Sequence, residues 1–258
     1  MDKMKYSKRR YFLQQIASMG TIASIAPDRL SAITLYDYDN TEGKGFTFLF
    51  QGDSITDGNR TRNKDWNHVM GHGYQFIVAS KLWYDFPKKE FHFFNRGISG
   101  NKVPDLAARW KTDAIELKPD LLSILIGVND LSSFLDGNAH FTAAQYEQDY
   151  RQLLQHTTLQ LPNIQLVIGE PFILPVGKIK QRWDEFSVEI IKRQAIAKQL
   201  SVEFNAIFIP YQEAFDKAIN NAPADYWIWD GIHPMPAGHE LMAREWIKQV
   251  SKKLRWIR

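Results

Sequence analysis

From Phe46 onward the hydrophobic positions follow two alternating patterns. Short runs rich in β-branched and aromatic residues, at 46–50, 91–95, 121–126, 165–169 and 202–208, read as strands. The stretches between them, 73–84, 104–117, 143–161, 181–200, 211–220 and 236–253, read as helices. Leu121-Leu122-Ser123-Ile124-Leu125-Ile126 is the strongest run, the kind found in a central parallel strand covered on both faces. Tyr146, Tyr150, Leu153, Leu154 and Leu161 form a stripe at helical spacing. Leu241, Met242, Trp246, Ile247, Val250 and Leu254 form another, and both are simplest as contacts with a sheet. Strands alternating with helices predict an α/β fold, with a parallel sheet between two helical layers. No internal repeat, low-complexity tract or linker interrupts the chain after residue 45, so residues 33–258 are expected to form one domain.

Composition narrows this picture in three ways. At 44% hydrophobic and 13% aromatic, 258 residues can bury a sizeable core, which excludes a disordered chain. With no cysteine there is no disulfide, thiolate metal site or cysteine nucleophile, and the redox compartment stays open. The net charge of +3 is unevenly placed. Residues 1–32 hold six Lys or Arg against two Asp, a local charge of +4 that leaves −1 for the remainder. A near-neutral body argues against nucleic acid as a partner.

The basic leader has an order of its own. Lys8-Arg9-Arg10-Tyr11-Phe12-Leu13-Gln14 resembles the bacterial twin-arginine export signal, and a weakly apolar stretch, 16–26, follows it. That stretch is too short to span a bilayer, so no stable membrane insertion is expected. Ser24-Ile25-Ala26 has the small residues of a processing site, although Pro27 would follow the cut. Residues 1–32 are therefore read as an export signal, which would place the protein in the periplasm. An amphipathic helix that stays on a cytoplasmic protein is the alternative.

The candidate chemistry lies where strands end. Gly52-Asp53-Ser54-Ile55-Thr56-Asp57-Gly58 follows the first strand, which puts the Ser54 hydroxyl at the carboxyl end of the sheet, where open α/β sheets bind ligands. Serines in such turns also cap the next helix, so on this stretch alone nucleophile and cap both stand. Asn95-Arg96-Gly97-Ile98-Ser99-Gly100-Asn101 follows the second strand, with two glycines that allow a tight turn and close backbone approach to a ligand. After the third comes Gly127-Val128-Asn129-Asp130, where Asn129 could aim its amide into the same crevice as an oxyanion donor or could cap a helix. Near the C-terminus, Trp229-Asp230-Gly231-Ile232-His233-Pro234 sets a carboxylate and an imidazole three residues apart in a stiff turn. If Asp230 accepts from Nδ1–H, the Nε2 of His233 is left free to take a serine proton.

Together these four blocks resemble the GDSL esterases, also called SGNH hydrolases, across most of 46–254. The resemblance implies a five-stranded parallel sheet in a three-layer, flavodoxin-like α/β/α sandwich, in agreement with the alternation above. It implies Ser54 as nucleophile, Asp230 and His233 as its partners, and the Ser54 and Gly100 N–H groups with the Asn129 amide as the oxyanion hole. Within the family, 97–110 and 229–239 are similar to bacterial acetylxylan esterases, a finer likeness shared by acetylesterases acting on other sugars.

The expected activity is therefore removal of a small acyl group, acetyl above all, from a carbohydrate, without cofactor or metal. Asp53, Asn101 and Trp229 are the expected substrate-lining residues. Tyr226, Trp227 and Trp229 could stack on a sugar ring, although the same rings could pack against the last helix. A lysophospholipase or thioesterase with the same machinery, and a glycan-binding module without turnover, are the competing functions. His68 and His72 are four residues apart, but Gly71 and Gly73 flank His72 and no third ligand is evident, so a metal site is not expected. A homo-oligomer is compatible with all of this.

Overall fold

The apolar runs become a five-stranded sheet. In the computed structural model, which describes residues 45–63 and 66–257, the strands are β1 (Thr47–Gly52), β2 (His92–Asn95), β3 (Leu121–Leu125), β4 (Gln165–Gly169) and β5 (Ile207–Ile209). All pair in parallel, in the order β2-β1-β3-β4-β5. The chain leaves β1 on one side to make β2, then crosses to the other side to make β3. The carboxyl end of β1 is thus the point where the winding reverses, the place where open α/β sheets bind ligands. The expected export signal lies outside the described residues.

The strands are largely apolar because both faces are covered. Phe48, Phe50, Leu121 and Leu125 point into one core, with Val78, Phe215 and Trp246 of α2 (Tyr74–Asp85), α8 (Tyr211–Ala218) and α10 (Pro236–Lys253). Leu49, Leu122, Ile124 and Ile168 point into the other. There they meet Trp110, Leu154 and Leu200 of α3 (Val103–Asp113), α5 (Ala143–Gln160) and α7 (Trp183–Glu203). Neighbouring strands keep register across the first face, so that Phe48 pairs with both Phe93 and Leu121. Ser123 is the polar residue in the strongest apolar run. Its Oγ accepts the indole N–H of Trp246 at 3.1 Å, which offsets the cost of burying a hydroxyl.

Two elements longer than a single turn differ from the pattern read along the chain. The run at 202–208 does not start as a strand: α7 continues through Glu203, and β5 is only Ile207–Ile209. Phe186, Ile190, Ile196 and Leu200 carry the buried stripe of α7, and Val202 falls on its outer side, 78% exposed. The intrinsic preference of a valine for strands loses to a helix already docked by four buried side chains. Asn205, with φ at +51°, turns the chain out of the helix. The second difference is α4 (Val128–Leu135), which the pattern left as a turn. It buries only Val128 and Leu131 among its apolar residues, too few to register as a stripe. Among the described residues, no helix is long and apolar enough to cross a membrane.

Candidate active site

One turn of helix, α1 (Ser54–Asp57), follows β1 directly. Its N-cap is Asp53, whose Oδ1 accepts the Ile55 N–H at 3.0 Å. Ser54 is the first helical residue and its hydroxyl is not engaged in capping. It lies instead 2.8 Å from Nε2 of His233.

The turn that carries His233 is closed on itself. Trp229 N–H donates to the His233 carbonyl at 3.2 Å, and Ile228 bridges to Pro234. Asp230 sits inside it and spends one carboxylate oxygen on the N–H groups of Ile232 (3.0 Å) and His233 (2.8 Å). The other oxygen is 2.8 Å from Nδ1 of His233. Burial raises the affinity of this carboxyl for a proton. The bonds from the His233 ring and from the two main-chain donors outweigh burial and hold it well below the usual carboxylate range. An ionised Asp230 can only accept, so the proton of the neutral imidazole sits on Nδ1 and Nε2 accepts from the Ser54 hydroxyl. The largely solvated ammonium of Lys178, in the short helix α6 (Gly177–Lys180), approaches the same Asp230 oxygen at 3.2 Å.

Two further blocks are bonded to each other. Asn101 N–H donates to the Ile98 carbonyl at 3.1 Å, closing a four-residue turn with Gly100 third. Gly100 has φ at +83°, the value the third position of a type II turn requires and one L side chains disfavour. Asn129 lies in the first turn of α4, whose N-cap is Gly127, so Asn129 is not the cap. Its Nδ2–H donates to the Asn101 carbonyl at 3.1 Å, fixing the amide to the Gly100 turn and leaving its second N–H for a ligand. Asp130 adds a second clip, accepting the Val103 N–H at 3.2 Å. Burial pushes its carboxyl up to about 6.

The three residues expected to line the site sit differently from one another. Asp53 is only 1% exposed and turned in to cap α1, next to Ser54 rather than on a wall. Burial pushes its carboxyl up to about 7. Asn101 accepts the Nε–H of Arg109 on its side-chain oxygen at 2.9 Å. Trp229 is 60% exposed and stacks on the His233 ring, centroids 6.1 Å apart and planes 24° from parallel. Tyr226 is exposed as well, whereas Trp227 packs against the core beneath α10. His68 lies in a single 3-10 turn (Trp66–His68), and among the described residues no group of three or more His, Cys, Asp or Glu could hold a metal ion.

Several residues at the site were not singled out by the pattern. Asn95, buried at the end of β2, donates its amide to the carbonyls of Thr56 (2.7 Å), Asp57 (3.1 Å) and Met70 (3.0 Å). It thereby ties the Gly100 loop to α1. Arg60 donates Nε–H to the Gly97 carbonyl at 3.0 Å, and the Asp57 carboxylate holds Ser99. His239 accepts the Tyr74 N–H on Nδ1 at 3.1 Å, and burial pushes it down to about 4, so it stays neutral. Asp57 and Asn95 stood inside the blocks already noted. His239 closes the 229–239 stretch, whereas nothing in the local sequence marks Arg60 or Lys178.

A serine hydroxyl bonded to an oriented imidazole, with a positive-φ glycine and a tethered amide on the loops after the two neighbouring strands, suits acyl transfer. The comparisons agree. Residues 50–241 match the GDSL-like lipase/acylhydrolase family, and the chain belongs to it. It is 32% identical over 225 residues to an acetylxylan esterase of Geobacillus stearothermophilus, covering 84% of this chain and 98% of that one. The crystal structure of that enzyme superposes with a TM-score of 0.70 at 32% identity, covering 81% of this chain and 95% of the other. Its solved forms include two catalytic mutants, one with a serine and one with an aspartate replaced by alanine. A GDSL-like lipase of Parabacteroides merdae is 42% identical with a TM-score of 0.77, covering 81% of this chain and 96% of that one. The protein is a carboxylic ester hydrolase with the α/β fold of these enzymes.

Proposed function

We propose that this esterase removes acetyl groups from a carbohydrate by a serine mechanism through an acyl-enzyme. The observation that carries the reading is the unbroken relay from Ser54 Oγ to His233 Nε2 and from His233 Nδ1 to Asp230, at 2.8 Å and 2.8 Å. As Oγ attacks the ester carbonyl, its proton passes to Nε2, and ionised Asp230 stabilises the imidazolium that forms. The Ser54 and Gly100 N–H groups and the free N–H of Asn129 receive the oxyanion. When the tetrahedral intermediate collapses, the proton on Nε2 goes to the departing sugar oxygen and the acetyl stays on Ser54. Water then gives a proton to Nε2 and attacks the acyl-enzyme, releasing acetate and restoring the serine.

The substrate class rests on two supports. The Geobacillus relative is an acetylxylan esterase, and the exposed Trp229 ring beside His233 suits the apolar face of a sugar. The test is acetate release from acetylated xylan, acetylated xylo-oligosaccharides and other acetylated glycans, beside a chain-length series of simple esters. Release from a glycan, with acetyl preferred to longer chains, is expected. A preference for long acyl chains would move the function to a lysophospholipase or thioesterase.

A further inference from the structure

The loop that carries the Gly100 N–H has a weak point at Gly100 itself. Apart from its two chain neighbours, nothing lies within 4 Å of a Cβ built there, so no other part of the protein packs on that side of the residue. In a type II turn the peptide between the second and third positions is the one whose reversal gives a type I turn. Here that peptide joins Ser99 to Gly100, and its N–H is the proposed oxyanion donor. Reversal would turn the donor to the opposite face of the loop. The anchor must therefore act one residue earlier, on Ser99.

Asp57 supplies that anchor. Its carboxylate is buried, and one oxygen accepts both the Ser99 N–H (3.0 Å) and the Ser99 hydroxyl (3.2 Å), along with a guanidinium N–H of Arg62. The other oxygen accepts the Arg60 N–H at 3.2 Å. Asp57 is also the last residue of α1, the single turn that begins with Ser54. Nucleophile and anchor therefore share one rigid element, and a Cβ at Gly97 would lie only 2.4 Å from Asp57 N, so the loop rests directly on that element. We infer that Asp57 is a positioning residue for the reaction: it sets the Gly100 N–H relative to Ser54 by holding Ser99. This rests on the assignment of Ser54 and Gly100 made above.

An anion suits the position, because every group facing these oxygens is a donor. Burial works against the charge, and the bonds from Arg62 and Ser99 more than compensate, keeping Asp57 ionised below the usual carboxylate range. An asparagine would place an amide NH₂ against one of the same donors. The side chain would then rotate or withdraw, and Ser99 would lose its tether.

The experiment compares Asp57→Asn with Ser54→Ala and Asn129→Ala, using 4-nitrophenyl acetate turnover, phenylboronic acid affinity and thermal midpoint. The boronate forms a tetrahedral serine adduct and so reports the oxyanion site without turnover. Asp57→Asn should lower kcat roughly 10²-fold with KM within about twofold, and should weaken boronate binding by a similar factor. A folded Asp57→Asn with kcat and boronate affinity near wild type, while Asn129→Ala is impaired, would overturn this inference alone. An active Ser54→Ala would overturn the mechanism and the inference together. Should Asp57→Asn not fold, Ser99→Ala, at an exposed residue, carries the test. It removes one of the two tethers and should lower kcat about threefold to tenfold at constant KM, and unchanged kcat and boronate affinity would refute the role.

Discussion

Asp53, not Ser54, caps the helix that follows β1: its carboxylate takes the Ile55 N–H at 3.0 Å, and the serine hydroxyl is left to His233. Two adjacent polar residues thus divide two tasks that either could have performed. Helix capping and the proposed nucleophilic role can be separated by mutation because they fall to different side chains.

Removing the hydroxyl should therefore abolish chemistry and spare the fold. Ser54→Ala is expected to lower turnover by about 10⁴–10⁶, the usual consequence of losing a member of such a relay. Its melting temperature should match wild type, since the cap bond is intact. Steady-state hydrolysis of a simple acetyl ester and a thermal melt check both halves, and near-normal turnover in a folded variant would reject the mechanism.

Asn129 tests the oxyanion assignment separately. Its amide is tied to the Asn101 carbonyl and does not cap α4. If its other N–H meets a charge present only in the transition state, Asn129→Ala should lose roughly 10²–10³ in kcat, about 3–4 kcal/mol, with KM nearly unchanged. A lower melting temperature with kcat retained would instead make Asn129 a mere clip between α4 and the Gly100 turn.

Asp53 yields a pH signature in stability. Burial raises its folded carboxyl from 3.8 to about 7. Between about pH 4 and pH 7 the unfolded chain has released a proton that the folded chain still holds, so this residue's contribution to stability falls as pH rises. The full span is on the order of 4 kcal/mol at most. Asp53→Asn keeps an acceptor for the Ile55 N–H and cannot ionise. Relative to wild type it should grow more stable from pH 5 to pH 8 in denaturant titrations, and a difference independent of pH would contradict the assignment.

Trp229 separates glycan recognition from the chemical step. Its exposed ring offers stacking worth about 0.5–1.5 kcal/mol, so Trp229→Ala should raise KM for an acetylated xylo-oligosaccharide roughly threefold to tenfold. KM for 4-nitrophenyl acetate should change far less. An equal rise for both substrates would mean that the ring acts on the His233 orientation and not on the sugar.

Much of this protein was legible in the order of its residues. The alternation of apolar runs and helical stripes determined a parallel sheet with two covered faces, because only such a sheet makes every position of Leu121–Leu125 apolar or satisfied. The short polar blocks at strand ends determined which side chains could meet, since an open α/β sheet brings those ends to one edge. Helix extent was less legible where it depended on docking. Val202 favours a strand locally but belongs to a helix anchored turns earlier, and α4 has too short a buried face to read. What only the tertiary structure decided is the division of roles among neighbours. Ser54 and His233 lie 179 residues apart, and no local pattern could say which of Asp53 and Ser54 would turn inward. Nor could it say that Asp57 would reach across to Ser99, 42 residues away. Hydrogen bonds are directional and short, so these roles depend on backbone placement to a few tenths of an ångström. That placement is set by the packing of the whole sheet and its helices, not by the residues on either side.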